Sequence, residues 1–305
     1  MRSAGRILSV PPAGATLRLG GREFPAGRSL VMAVINRTPD SFYPAARQYD
    51  IEVAAAAVDR AAAEGADLID IGGVKAGPGA EVDVTEELRR VVPFLARVRA
   101  EHPGLLLSVD TWRAEVAREA CAAGVDLIND TWAGHDPALA EVAAGQGVGL
   151  VCSHTGGAIP RTRPHRVGYG DSSDAVLEHV LTGLAESARR AVKAGVAPES
   201  VVVDPTHDFG KNTWHGLTLL RGTEALVSLG YPVLMSLSRK DFVGETLDLP
   251  VDERLTGTLA ATAVSAWCGA KVFRVHDVAA TRQVLDLVAS IRGERPPAQA
   301  IRGLA

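Results

Sequence analysis

The chain has 305 residues, 47% of them hydrophobic and 22% charged, with a formal net charge of −4, which suits one large globular α/β unit with ample material for a core. A pI near 6.1 argues against a nucleic-acid binder, which would present a basic face. Cys121, Cys152 and Cys268 lie far apart in apolar runs, and Met1–Arg6 leads into no long apolar segment; buried thiols in a cytoplasmic protein are expected, with no disulfide framework, zinc site, signal peptide or membrane span.

Residues 1–29 stand apart as an extension. Thr16 to Phe24 alternates apolar and polar residues around Gly20-Gly21, which predicts a β-hairpin placed to plug one end of a barrel. From Leu30 the chain alternates strand and helix patterns. Strands are predicted near 30–35, 67–71, 105–109, 126–129, 148–152, 200–203, 233–236 and 271–275. Helices are predicted from Ile51 to Glu64, Thr85 to Ala100, Ala114 to Ala123, Pro137 to Gln146, Ala175 to Ala194, Thr213 to Leu229, Glu253 to Cys268 and Val278 to Ile291, rich in Ala, Leu, Glu and Arg. Gly65, Gly124, Gly195, Gly230 and Gly269 follow as helix stops.

This alternation predicts a (β/α)8 TIM barrel over 30–295, with a tail over 296–305 that carries Pro296-Pro297. A doubly wound open sheet is the alternative. It would bring a glycine-rich loop after its first strand, and Asn36-Arg37-Thr38-Pro39 is not one. Long loops cover 36–50, 72–84 and 155–174, the last containing Arg161, Arg163, His165 and Arg166. A polar residue closes most strands: Asp70, Asp110, Asn129, His154, Asp204, and Arg274 with His276. A ring of such residues at the C-terminal strand ends is what a polar ligand would need.

Several motifs stand in a fixed order: Asn36-x-Thr38-Pro39-Asp40-Ser41-Phe42, Asp70-Ile71-Gly72-Gly73, Ser108-Val109-Asp110-Thr111, Ile128-Asn129-Asp130, Asp204-Pro205 with Phe209-Gly210-Lys211, Ser238-Arg239-Lys240-x-Phe242-x-Gly244, and Arg274-Val275-His276-Asp277. Together they resemble the dihydropteroate synthase family of pterin-binding barrels, over roughly residues 30 to 292. The resemblance implies condensation of a dihydropterin pyrophosphate with p-aminobenzoate. It implies a pterin held by Asp110, Asn129, Asp204, Phe209 and Lys240, pyrophosphate clamped by Arg274 and His276, and magnesium (Mg2+) at Asn36. Asp110, Lys240, Arg274 and His276 are the catalytic candidates. It also implies a homodimer and a pterin-type small molecule as partner; the charge and the lack of a long apolar segment point to no nucleic acid and no membrane. Local roles compete with these: Asp110, Asn129 and Asp130 could cap helices, Asn36 could make an Asx turn before Thr38-Pro39, and Lys240 could be a solvated surface lysine.

The family pattern breaks on the loops. Gly-Gly-Glu-Ser-Thr-Arg-Pro-Gly becomes Gly72-Gly73-Val74-Lys75-Ala76-Gly77-Pro78-Gly79, and Lys75 does not reproduce the planar fork of arginine. In the first loop Arg37 replaces an apolar residue, and Tyr43-Pro44-Ala45-Ala46 replaces Ser-Asp-Gly-Gly. Ser153 stands for a Met before His154. Thr206 and Asp208 replace two glycines of Asp-Pro-Gly-x-Gly-Phe, where backbone would approach a pterin closely. The losses fall on substrate-facing loops and spare the barrel. The expected function is a homologue that binds a pterin or pterin pyrophosphate with absent or much reduced condensation. An active synthase with unusual loops and a pterin-dependent methyltransferase-type domain are the alternatives.

Overall fold

The computed structural model describes residues 14–38, 50–162, 167–170, 172 and 174–302. The hairpin β1 (Leu17–Leu19) and β2 (Arg22–Phe24) is antiparallel, and eight parallel strands follow: β3 (Leu30–Asn36), β4 (Leu68–Gly72), β5 (Leu106–Asp110), β6 (Leu127–Asp130), β7 (Gly149–Ser153), β8 (Val201–Asp204), β9 (Leu234–Met235) and β10 (Val272–Val275). Their order is β8-β7-β6-β5-β4-β3-β10-β9. The ring closes through one parallel bridge, Val203 to Val233, where the Val203 N–H donates to Pro232 O at 2.9 Å. The architecture is a nearly closed (β/α)8 barrel; the open-sheet alternative is excluded.

The surrounding helices are α1 (Ile51–Ala63), α2 (Val84–Glu101), α3 (Ala114–Ala122), α4 (Leu139–Gln146), α5 (Ala175–Ala194), α6 (Thr213–Arg221), α7 (Thr223–Val227), α8 (Asp241–Leu247), α9 (Leu255–Trp267) and α10 (Val278–Ile291). Side-chain caps explain several starts. Asp50 accepts from the Glu52 and Val53 amides, Asp83 from Glu86, and Asn212 forms a capping box with His215. The five glycines expected to stop helices all take φ between 82° and 110°. Some helices differ from expectation. The helix predicted from Thr213 to Leu229 breaks at Gly222, which packs against Leu177. The one predicted from Pro137 begins at Leu139, because Asp136 first turns the chain by accepting from Ala138 N. The short α8 was not predicted.

Strand alternation divides the core in two. Outward residues such as Val31, Ala33, Ile35, Ile69, Ile71, Leu107, Val109, Val201, Val203 and Phe273 pack beneath the helices. Inward residues Leu30, Met32, Leu68, Leu106, Leu127, Val151, Val202, Leu234 and Val272 fill the lower barrel, joined by Leu17, Leu19 and Phe24 of the hairpin. The hairpin is therefore the expected plug, and each of its three buried side chains contributes about 1.5–3 kcal/mol. Cys152 is buried, Cys121 and Cys268 half-buried, and all three are free thiols. Residues 295–302 are exposed and carry no helix or strand. Among the described residues no helix is long and apolar enough to cross a membrane.

Candidate active site

The same alternation that builds the apolar lower barrel builds the site above it. On six strands polar residues continue the inward parity beyond the apolar side chain: Leu68 then Asp70, Leu106 then Ser108 and Asp110, Leu127 then Asn129, Val202 then Asp204, Leu234 then Ser236, Val272 then Arg274 and His276. Adjacent registers bring them level, with Asp70 beside Ser108 and Asp110 beside Asn129.

Arg274 organises the centre. Its Nε donates to Asp70 Oδ2 at 2.6 Å and its Nη2 to Asp110 Oδ2 at 2.8 Å. Asn129 Nδ2 donates to the same Asp70 oxygen at 3.0 Å, and Thr131 Oγ1 donates to Asp110 Oδ1 at 3.1 Å. Burial pushes the Asp110 carboxyl up to about 7, against the pull of Arg274. Burial works against the Arg274 charge, but Asp70 and Asp110 outweigh it and hold its pKa above the ordinary value. Asp204 is likewise raised by burial, to about 6, although the Thr206 amide donates to its Oδ1 at 2.7 Å; Ser236 Oγ donates to its Oδ2 at 3.4 Å. His276 Nδ1 lies 2.9 Å from Ser238 Oγ, and burial followed by the Arg274 charge lowers its pKa to about 4. Lys240 Nζ sits 4.6 Å from the centre of the Phe209 ring, whose edge contact with Trp132 spans 5.1 Å. Asp70 Oδ1, Ser108 Oγ, Asn129 Oδ1 and Trp132 Nε1 are buried with no hydrogen-bond partner among the described residues.

Asp110, Asn129, Asp204, Phe209, Lys240, Arg274 and His276 thus gather at one end of the barrel. Asp110 caps no helix: Thr111 Oγ1 takes the Arg113 amide and Asp136 takes that of Ala114 at the start of α3. Asp130 does serve locally, accepting from Trp132 N and Gly134 N. A Cβ placed on Gly72 would stand 3.7 Å from Asp110 Oδ2 and 3.8 Å from Asn36 Oδ1, so Asn36 faces the same mouth.

His154 departs from the strand-end expectation. Ser153 has the inward parity, and His154 turns outward, with Nε2 at 2.8 Å from His179 Nδ1 on α5. Asp70 has the opposite history. Expected as a strand end and as part of the Asp70-Ile71-Gly72-Gly73 motif, with no role at the site, it anchors Arg274; its spacing from Leu68 is the available signal.

The altered loops have their own contacts. Arg37 lies 5.1 Å over the Phe94 ring on α2 and donates to Arg90 O. Gly73 O accepts from Arg90, while Arg161 reaches across from the loop after β7 to Gly77 O and, at 2.6 Å, Ala80 O. The loop that carries Lys75 is held by backbone carbonyls on arginines. Thr206 and Asp208 both adopt the left-handed backbone that favours glycine, at φ 54° and 68°. For a β-branched Thr this costs on the order of 1–3 kcal/mol. Residues 39–49 of the first loop, with Tyr43 to Ala46, and Arg163, His165 and Arg166 lie outside the described residues.

The sequence profile of the family described as pterin binding enzyme matches residues 32–276. A Mycobacterium leprae (strain TN) protein called inactive dihydropteroate synthase 2 is 62% identical over 287 residues, covering 94% of this chain and 99% of that protein. The solved structure of Mycobacterium tuberculosis Rv1207 matches with a TM-score of 0.72 and 50% identity, over 92% of this chain and 99% of that one. The Yersinia pestis dihydropteroate synthase, solved as a sulfonamide drug complex, matches with a TM-score of 0.84 and 33% identity, over 92% and 100% respectively.

Proposed function

Because the chain belongs to the pterin binding enzyme family, whose profile covers residues 32–276, we propose that it binds a pterin or pterin pyrophosphate in the barrel mouth and condenses it with p-aminobenzoate little or not at all. One observation carries the binding half. Asp70 Oδ1, Ser108 Oγ and Asn129 Oδ1 are buried polar atoms without partners among the described residues, at the inward-facing end of adjacent strands. A flat ring edged with donors and acceptors meets that need. In this reading Asp110, Asn129 and Asp204 take the amino-pyrimidine edge, with Phe209 and Lys240 at its flank. Arg274, on the side turned away from its two carboxylates, and His276 take phosphate. Asn36 Oδ1 and Asp110 Oδ2 are hard oxygen donors near one point beside Gly72. They suit magnesium, which keeps most of its shell as water or phosphate oxygen. The ion would supply charge neutralisation for a leaving pyrophosphate.

The negative half rests on the loops. The Lys75-Ala76-Gly77 stretch offers neither the hydroxyls nor the guanidinium of Ser-Thr-Arg, and Arg161 and Arg90 tie the backbone around it. Loop closure is worth only what its differential contacts supply. The reading places the protein in the cytoplasm as a homodimer, with 1–29 as a hairpin extension, 30–295 as the ligand-binding barrel and 296–305 as a tail.

Asp204→Ala tests the site. It removes a buried acceptor at 2% exposure, and each ring N–H left unpaired costs about 1–3 kcal/mol. Calorimetry with a dihydropterin should show affinity reduced by roughly tenfold or more. Unchanged affinity would remove Asp204 from the site.

A further inference from the structure

Asp208 is a carboxylate at a backbone position that side chains rarely occupy, with φ 68°. Asp and Asn tolerate that region best among residues with a Cβ, so an acid can be held there at modest cost. The turn aims it at the start of α8: Asp208 Oδ2 accepts from the Asp241 N–H at 2.6 Å and the carboxylate also takes the Phe242 amide. The residue before Asp241 is Lys240, and the residue after Asp208 is Phe209, on whose ring the Lys240 ammonium rests at 4.6 Å. Asp208 and Lys240 are therefore joined twice, through the helix start and through the aromatic face.

The other described cations of the mouth have partners within the protein. Arg274 is shared by Asp70 and Asp110. Lys211 spends its three hydrogens on carbonyls, donating to His154 O at 2.6 Å, Phe209 O at 2.9 Å and Thr206 O at 3.2 Å. His276, held near 4, is neutral at pH 7. Beside Arg274, Lys240 is a second described cation of the mouth that an anionic ligand group could meet.

We propose that Asp208 is a positioning residue for Lys240, fixing its ammonium over Phe209 and supplying its counter-charge, so that Lys240 adds less to the hold on an anionic ligand group than it would alone, while the hold on a phosphate-free ligand is little changed. This rests on the barrel-mouth reading above for the ligand's place, though not for the contact itself. Burial lowers the Lys240 pKa, and Asp208 is the largest of the charges that oppose that shift. Asp204 and Asp241 also oppose it; Arg274 reinforces it, and Lys211, His207 and His276 lie within the same field.

Asp208→Asn isolates the charge. Asn keeps the left-handed turn and an oxygen acceptor for the Asp241 amide, so the fold is preserved. In the unliganded protein, the Lys240 side chain followed by carbon-13 labelling should titrate at least about one pH unit lower in the variant than in the parent, the loss of one close opposite charge. Inorganic pyrophosphate should bind the variant about tenfold more tightly, while a phosphate-free dihydropterin changes less than about threefold. Asp208→Gly, which also relieves the backbone, should move pyrophosphate affinity in the same direction. An unchanged Lys240 midpoint overturns the proposal, as does an equal change for both ligands. If no dihydropterin binds either protein, the pterin reading fails, and the Lys240 midpoint still decides the role of Asp208.

Discussion

Replacing Arg274 by methionine is expected to lower the unfolding free energy by about 3–5 kcal/mol at pH 8, and by less at pH 5. Asp70 is fully buried, and its Oδ2 depends on Arg274 at 2.6 Å and Asn129 at 3.0 Å. Asp110 stands on the other side of the guanidinium at 2.8 Å. Methionine fills similar volume but leaves two carboxylates facing each other without their shared cation. Breaking a buried pair costs more than the pair was worth, because the desolvated charge stays behind. The pH dependence follows from linkage. Burial already raises the Asp110 carboxyl to about 7, and losing Arg274 raises it further. A folded-state pKa above the unfolded value destabilises the protein as pH rises through it, and protonation relieves the penalty as pH falls. Urea unfolding at the two pH values checks this. A deficit under about 0.5 kcal/mol at pH 8 would mean that Arg274 is not the internal counter-charge.

His207→Leu is expected to stabilise the protein by about 1–3 kcal/mol at pH 7. His207 is fully buried, both ring nitrogens lack partners among the described residues, and its ring lies 5.4 Å from that of Phe242. One nitrogen is a donor and one an acceptor, and both are stripped of water with no more than an interaction with the Gly216 backbone to offset it. Burial, with the Lys211 and Lys240 charges, pushes its pKa down to about 3. The sign is opposite to that of Asp110. Below the unfolded value near 6.5 the unfolded chain takes a proton that the folded one refuses, so the contribution of His207 to stability falls as pH drops toward about 3. The advantage of the leucine variant should therefore widen by about 2 kcal/mol between pH 7 and pH 5. Equal stability of both proteins across that range would contradict the burial of a poorly partnered imidazole.

The barrel was legible because its strands and helices differ in period and because glycines end the helices. The site was legible for a related reason: inward parity carries over from Leu68 to Asp70 and from Val202 to Asp204, so the apolar pattern points to the polar one. Parity also explains the miss at His154, one residue out of phase with Ser153. Other features depend on contacts distant in sequence. The break at Gly222 is set by Leu177, forty-five residues earlier, counted from the two residue numbers. The predicted strand over 233–236 pairs with β10 only at Leu234–Met235, while Val233 pairs across the seam with Val203. The seven-residue α8 is too brief to show a helical period and begins on a carboxylate from another loop. The positive φ of Thr206 and Asp208 has no local signal at all, since neither residue type requires it.

The most direct test is a pair of measurements on one preparation of the unmodified chain with magnesium: dihydropterin pyrophosphate binding by calorimetry, and dihydropteroate formed after adding p-aminobenzoate. The retained ring of Asp110, Asn129, Asp204 and Arg274 predicts binding. The loop that lacks Ser-Thr-Arg predicts almost no product, since misplacing the second substrate by ~1 Å already costs about 10²-fold in rate. Binding without turnover is the predicted result; turnover at about 1 s⁻¹ or faster, an ordinary enzymatic rate, would contradict it and make the protein a working synthase.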